Sequence, residues 1–183
     1  MKKYLITSPE FYTDKPEIFR RKLNEQILKH KPDYILYRDK KTTHYKEMAK
    51  IFIDVAKQHQ EIRVFLHTDI NLASKLNAYG VHLPSTAFEK INQAKDLGLK
   101  VIISTHTHEE VSKAESLGAD YVTYSPIFVS PNKGKPKGID DLKTLLNKTK
   151  IKVFALGGIV KKEEVTKVEK TSAYGFASIR YFQ

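Results

Sequence analysis

The 183-residue sequence contains no cysteine. That removes disulfide frameworks and thiolate chemistry from consideration. No apolar run approaches the ~20 residues a membrane span requires. Met1-Lys-Lys-Tyr leads directly into a strand-like Leu5-Ile6 and a Ser-Pro break, so no signal peptide is legible and a cytoplasmic location is expected. No pair of histidines or carboxylates has the spacing of a zinc site. A helix-turn-helix pattern, an aromatic-rich RNA-binding strand and a metal knuckle are all missing. The formal charge of +11 therefore has no nucleic-acid motif to serve. Its lysines are dispersed over the helical segments (Lys46, Lys57, Lys75, Lys95, Lys113 and Lys143). A basic domain can bind nucleic acid or attract phosphorylated metabolites; most of the excess here is read as a solvated face, with nucleic acid a minor option.

What is present is a chain 40% hydrophobic and 29% charged, enough to bury one core, so a single domain over residues 1–183 is expected. Short apolar runs alternate with helical patterns. Tyr4 to Thr7 reads as a strand; Asp14 and Pro16 open a helix with Phe19, Leu23 and Ile27 on one face. Tyr34–Tyr37 is the second strand, and Thr42 or Thr43 is placed to cap the next helix. Further strands read at Ile62–Leu66, Gly80–Leu83 and Val101–Ile103, each followed by a helical stretch. A helix from Ser85 to Leu97 is expected to stop at Gly98. Asp120 begins the sixth strand, Val153–Leu156 forms the seventh and Tyr174–Ala177 the eighth.

Eight strands alternating with helices, each strand apolar throughout rather than alternating, require parallel β/α units buried on both faces. The expected fold is a small (β/α)8 TIM barrel. The alternative, an open doubly wound sheet, lacks the Gly-x-Gly-x-x-Gly that would follow its first strand. Too few residues follow the eighth strand for a full last helix, so that helix is expected to be truncated, with one turn at Ile179, Tyr181 and Phe182. Part of the outer wall would then be bare and covered in a homo-oligomer.

In such barrels the working residues lie at the C-terminal ends of the strands. Those positions hold Arg38 and Lys40; His67, Thr68 and Asp69; His82; Ser104 and His106; Ser130, Asn132 and Lys133; Gly157 and Gly158; and Ala177 and Ser178. The sixth strand runs into a long loop, Ser125 to Gly138, rich in lysine, serine and proline, which suits a polar ligand. Three cations converging with glycine-rich turns point to a ligand carrying phosphate. Each residue also has a plainer reading. Gly157-Gly158 serves as a tight turn, Arg38 and Lys40 pair with Asp39, and His82 is a hydrogen-bonded wall residue. His106 caps a helix, and Asp69 is a helix N-cap before it is a metal ligand.

At these residues the sequence resembles the thiamine phosphate synthase and thiazole tautomerase (TenI-like) family. Tyr37-Arg38-Asp39-Lys40 is similar to its Arg-x-Lys after strand two, and Ser104-Thr105-His106-Thr107 to its Ser-x-His-Thr after strand five. Ser125-Pro126-Ile127-Phe128, with Ser130, Asn132 and Lys133 beyond, resembles its strand-six loop. Gly157-Gly158-Ile159 and Ala177-Ser178 match its phosphate-binding strand ends. The resemblance implies a transferase of thiamine biosynthesis that condenses hydroxymethylpyrimidine pyrophosphate with thiazole phosphate and releases pyrophosphate. Arg38, Lys40 and Lys133 would hold the pyrophosphate; Ser130, Asn132, Gly158 and Ser178 the thiazole phosphate; His67 and Ser104 the pyrimidine. The synthases bind magnesium through two aspartates, whose places hold His67-Thr68 and Ala87 here. Asp69 is the one nearby replacement, so Mg2+ binding is expected to be weakened or absent. Val81-His82-Leu83-Pro84-Ser85 looks more like the tautomerase branch, yet the histidine that branch uses aligns with Pro126. A tautomerase, acting through His67, His82 or His106, and a non-catalytic phosphate binder are the alternatives. Phosphorylated pyrimidine and thiazole small molecules are the expected partners, with no nucleic acid and no membrane.

Overall fold

The computed structural model describes residues 1–59 and 61–183. Eight parallel strands close on themselves in sequence order. They are β1 (Lys2–Ile6), β2 (Tyr34–Tyr37), β3 (Arg63–His67), β4 (Gly80–Leu83), β5 (Lys100–Thr105), β6 (Tyr121–Tyr124), β7 (Lys152–Leu156) and β8 (Gly175–Ser178). Closure is made by β1 against β8, from Lys2 opposite Gly175 to Leu5 opposite Ser178. The outer layer holds α1 (Pro16–His30), α2 (Tyr45–Ala56), α3 (Ile70–Lys75), α4 (Ile91–Asp96), α5 (His108–Ser116), α6 (Gly138–Leu146) and α7 (Lys162–Glu169). This is the (β/α)8 barrel expected from the alternation of elements.

Local chemistry explains the boundaries. Pro16 starts α1 where its missing N–H has no helical partner to lose. Phe19, Leu23 and Ile27 are buried on the inward face at a four-residue spacing. The helix expected from Ser85 begins late: Phe88–Lys90 is a 3₁₀ turn and α4 follows it. The cap expected at Thr42 or Thr43 falls instead on His44, with no side-chain hydrogen bond. Thr42 and Lys41 donate their backbone N–H groups to Asp39 Oδ1, which closes a turn before the helix begins.

Period-two alternation separates two cores. Side chains facing into the barrel, among them Tyr4, Ile6, Tyr34, Leu36, Phe65, Ile102, Tyr121 and Phe154, fill its interior. The alternate residues pack outward against the helices, as Leu5, Ile35, Leu66, Val81 and Val122 do. The interior is thus a packed plug, and the polar residues at the far ends of the strands cap it.

The bare wall expected beyond β8 is not bare. Phe176, which points outward from β8, is 2% exposed. It stacks on Phe182 at 5.6 Å and meets Tyr181 edge-on, both in the short turn after the strand. Phe182 also packs against His30 at the end of α1. The apolar face of β8 at Phe176 is covered by the chain's own Tyr181 and Phe182.

Candidate active site

The inward alternation that buries Phe65 and Ile102 places His67 and Ser104 two residues further on, on the same face and nearer the mouth. His82, beside His67 in the β3–β4 register, completes the group. His82 is 3% exposed and has both ring nitrogens occupied: Nδ1 lies 2.9 Å from the Tyr4 hydroxyl and Nε2 3.0 Å from Ser104 Oγ. The wall-residue reading of His82 therefore holds. Burial, reinforced by His67 and Arg38, pushes its pKa down to about 3. His67 is held at about 4, by burial first and then by Arg38 and Lys40. Both imidazoles are neutral at physiological pH.

Arg38 follows directly on β2, and its backbone N–H donates to Thr7 Oγ1 at 2.9 Å. Its side chain is half-buried, and burial lowers its pKa from the ordinary arginine value, with Asp39 acting in the opposite direction. Among the described residues, neither Arg38 nor Lys40 forms an ion pair within 4.0 Å. The local Arg38–Asp39–Lys40 salt-bridge cluster is thus not formed. Tyr45 braces this side of the rim: its hydroxyl accepts from His67 N at 3.0 Å and lies 3.2 Å from the Tyr37 carbonyl oxygen. Between these groups an open cavity of about 660 Å³ is lined by Asp39, Lys40, Tyr45, His67, Thr68 and Asp69, among others.

The opposite side of the rim is built by the loop after β6 and the turn after β7. Ile127 N donates to Leu156 O at 2.9 Å and Phe128 N to Gly157 O at 3.0 Å. At the far end of the loop, Lys137 N and Gly138 N return to Pro126 O and Ile127 O. Gly157 and Gly158 have φ of +96° and +70°. A Cβ on Gly158 would sit 2.5 Å from Val129 O, closer than real contacts allow. The glycine pair is there because the loop backbone lies directly on it. Gly98, with φ +74° and open space around it, supplies the control. Gly98→Ala is expected to cost about 1 kcal/mol, the left-handed backbone penalty alone. Gly158→Ala should cost about 2 kcal/mol or more, measured by urea unfolding, since it adds a collision with backbone. Equal losses would mean the loop does not press on the turn.

Several predicted site residues are placed differently from one another. Ser130, Asn132 and Lys133 sit on the outer part of the loop, with Asn132 and Lys133 exposed and Lys133 N donating to Ser130 O. Ala177 faces the barrel interior and is fully buried. Ser178 is also buried, and its hydroxyl donates to Ile159 O at 2.7 Å while accepting from Tyr181 N. Its one hydroxyl proton is thus engaged within the chain. His106 turns away from the mouth: its ring donates from Nδ1 to Ser125 O and lines an outer groove with His108 and Tyr124. It does not cap the helix either, since Thr107 Oγ1 accepts the Glu110 N–H there. His106 is therefore placed apart from His67, His82 and Ser104.

Asp69 is the N-cap of α3, its Oδ1 accepting from Leu72 N at 2.9 Å. No group of three or more potential metal-ligating side chains stands together among the described residues. The other carboxylate on this cavity, Asp39, likewise has its Oδ1 taken by two backbone amides. Two carboxylates thus line the cavity, each with one oxygen engaged, and Mg2+ is commonly held by one or two carboxylates together with waters and a substrate phosphate. Sequence reasoning missed Tyr4, Thr7 and Tyr45, whose roles depend on contacts across strands. It also missed Thr123, a buried inward hydroxyl with no partner among the described residues, in register with Ser104. The inward period of β1 and β6 was the one signal for Tyr4 and Thr123.

The fold is a closed parallel (β/α)8 barrel with Arg38 and Lys40 on one side of its mouth and a glycine-gripped loop on the other. The profile of the thiamine monophosphate synthase family matches residues 3–182, and the chain belongs to that family. It is 32% identical over 163 residues to a putative thiamine-phosphate synthase 2 of Aquifex aeolicus, covering 86% of this chain and 87% of that one. It is 31% identical over 156 residues to the thiamine-phosphate synthase of Lactococcus lactis, covering 78% and 69%. Among solved structures, the thiamine phosphate pyrophosphorylase from Pyrococcus furiosus superposes with a TM-score of 0.83 at 26% identity, covering 97% of this chain and 85% of that one.

Proposed function

We propose that this chain joins a hydroxymethylpyrimidine pyrophosphate to a thiazole phosphate and releases pyrophosphate. The observation that carries the reading is Arg38: a half-buried guanidinium with no anionic partner among the described residues, beside two imidazoles held neutral. A charge removed from water is ordinarily paired. Here a ligand anion fills that role, and Lys40 on the same rim adds to it. Membership of a transferase family supports the same reading.

In the reaction, the bond between the pyrimidine methylene carbon and the pyrophosphate oxygen breaks, and the oxygen leaves with the electron pair. The thiazole nitrogen then bonds to the methylene carbon. Arg38, Lys40 and Lys133 stabilise the charge gathering on the departing pyrophosphate. The tethered loop and the amides of Gly157 and Gly158 hold the thiazole phosphate on the opposite side, so the two reactants meet across the mouth. Asp39 and Asp69 line the cavity on the pyrophosphate side and are the residues that would hold an Mg2+ shared with that group, where it would neutralise charge.

The tautomerase alternative needs a histidine near the mouth that titrates around neutrality. His67 and His82 are held at about 4 and about 3, and His106 lies in the outer groove. The placement of these three histidines favours the condensation reading.

The test is to incubate the chain with both phosphorylated halves, with and without added Mg2+, and quantify the condensed product. Product formation supports the proposal. Absence of product, with no rise in melting temperature on adding pyrophosphate, ends it. Lys133→Ala should weaken pyrophosphate binding about tenfold, the loss of one charged contact of ~1.4 kcal/mol. Because Lys133 is exposed, unfolding stability should change by less than about 0.5 kcal/mol. Equal damage to both would make the residue structural.

A further inference from the structure

Tyr4 stands at the floor of the mouth, wholly buried on β1, with its hydroxyl 2.9 Å from His82 Nδ1. No other partner for that hydroxyl exists among the described residues. A phenol proton buried without an acceptor is costly, so the Tyr4 O–H donates to Nδ1. A neutral imidazole carries one proton, which then resides on Nε2. That nitrogen faces Ser104 Oγ at 3.0 Å, and Ser104 must therefore accept. The Ser104 proton has no protein acceptor among the described residues, and the side chain is partly open to the mouth. Reversing every bond would strand the Tyr4 proton inside the barrel.

We propose that Tyr4 is a positioning residue: it sets the tautomer of His82 and thereby leaves Ser104 as a hydrogen-bond donor to an acceptor atom of the pyrimidine pyrophosphate. The neutrality of His82 follows from its burial and keeps the relay in one state at physiological pH. The identity of the ligand rests on the function proposed above; the tautomer does not.

Two measurements decide it. Imidazole ¹⁵N spectra of the unliganded chain should show His82 protonated at Nε2 and bare at Nδ1; a proton on Nδ1 overturns the proposal whether or not any variant folds. In turnover assays, Tyr4→Phe should raise KM for the pyrimidine pyrophosphate about threefold to tenfold, the value of one neutral hydrogen bond, and leave KM for the thiazole phosphate unchanged. The same substitution made in Ser104→Ala should add nothing further. Equal losses for both substrates, or an undiminished loss in the Ser104→Ala background, would show that Tyr4 acts only through packing. Absence of turnover by the wild type ends the reaction proposed above, and the tautomer then decides this inference alone.

Discussion

Replacing Arg38 by methionine is expected to lower kcat/KM by about 10²–10³, the usual loss when one preorganised charge stabiliser is removed from a developing anion. Methionine keeps the volume and the apolar stem but takes away the guanidinium. The fold should tolerate this well, because the position is tied by its backbone amide to Thr7 rather than by its side chain. Removing a half-buried cation that has no ion-pair partner within 4.0 Å among the described residues also relieves a desolvation cost in the unliganded state. Unfolding stability is therefore expected to stay level or rise slightly while turnover collapses. A parallel loss of stability and activity would show that Arg38 pairs with the protein and not with a ligand. Inorganic pyrophosphate adds a direct reading: its thermal stabilisation of the wild type should be largely absent in Arg38→Met.

The second large effect concerns acid. His82 titrates near 6.5 in the unfolded chain and at about 3 in the barrel. Above pH 6.5 both states are neutral and the group contributes nothing to pH dependence. As pH falls below 6.5, the unfolded chain binds a proton that the folded chain refuses, so folding stability declines until the folded pKa is reached. At pH 4.5 the difference amounts to about 2–3 kcal/mol from His82, at 1.36 kcal/mol per unit. His67 acts in the same direction over a narrower range, since it is held at about 4. Urea unfolding at pH 7 and pH 4.5 should show this decline, and His82→Gln should remove most of the His82 share. An unchanged acid slope in that variant would mean the imidazole is protonated inside the fold. Turnover, in contrast, should not follow a histidine titration between pH 6 and pH 8.

The barrel was legible in the sequence because parallel strands buried on both faces leave continuous apolar runs, and Tyr34–Tyr37 and Gly80–Leu83 coincide with β2 and β4. Strand ends could be read for the same reason, which put Arg38, His67, His82 and Ser104 on one rim. What could not be read was direction. His106 and Ser104 are two residues apart, yet one lines the outer groove and the other meets His82. The turn of the chain after Thr105 decides that, and no periodicity reports it. Asp69 carries both a cap signal and a metal-ligand chemistry, and the Leu72 amide settles its use. The wall beyond β8 looked open because too few residues remained for a helix. Aromatic rings fill more space per residue than a helical turn of small side chains, and Tyr181 and Phe182 close the gap.

The loop after β6 is anchored to the barrel at both ends by four main-chain bonds, whereas residues from Val129 to Lys135, apart from Ser130, are solvent-exposed. Stem and tip are therefore physically uncoupled: exposed side chains at the tip can be exchanged with little effect on how the chain folds. The glycine pair beneath the stem has no such freedom, because a Cβ at either position would collide with the loop.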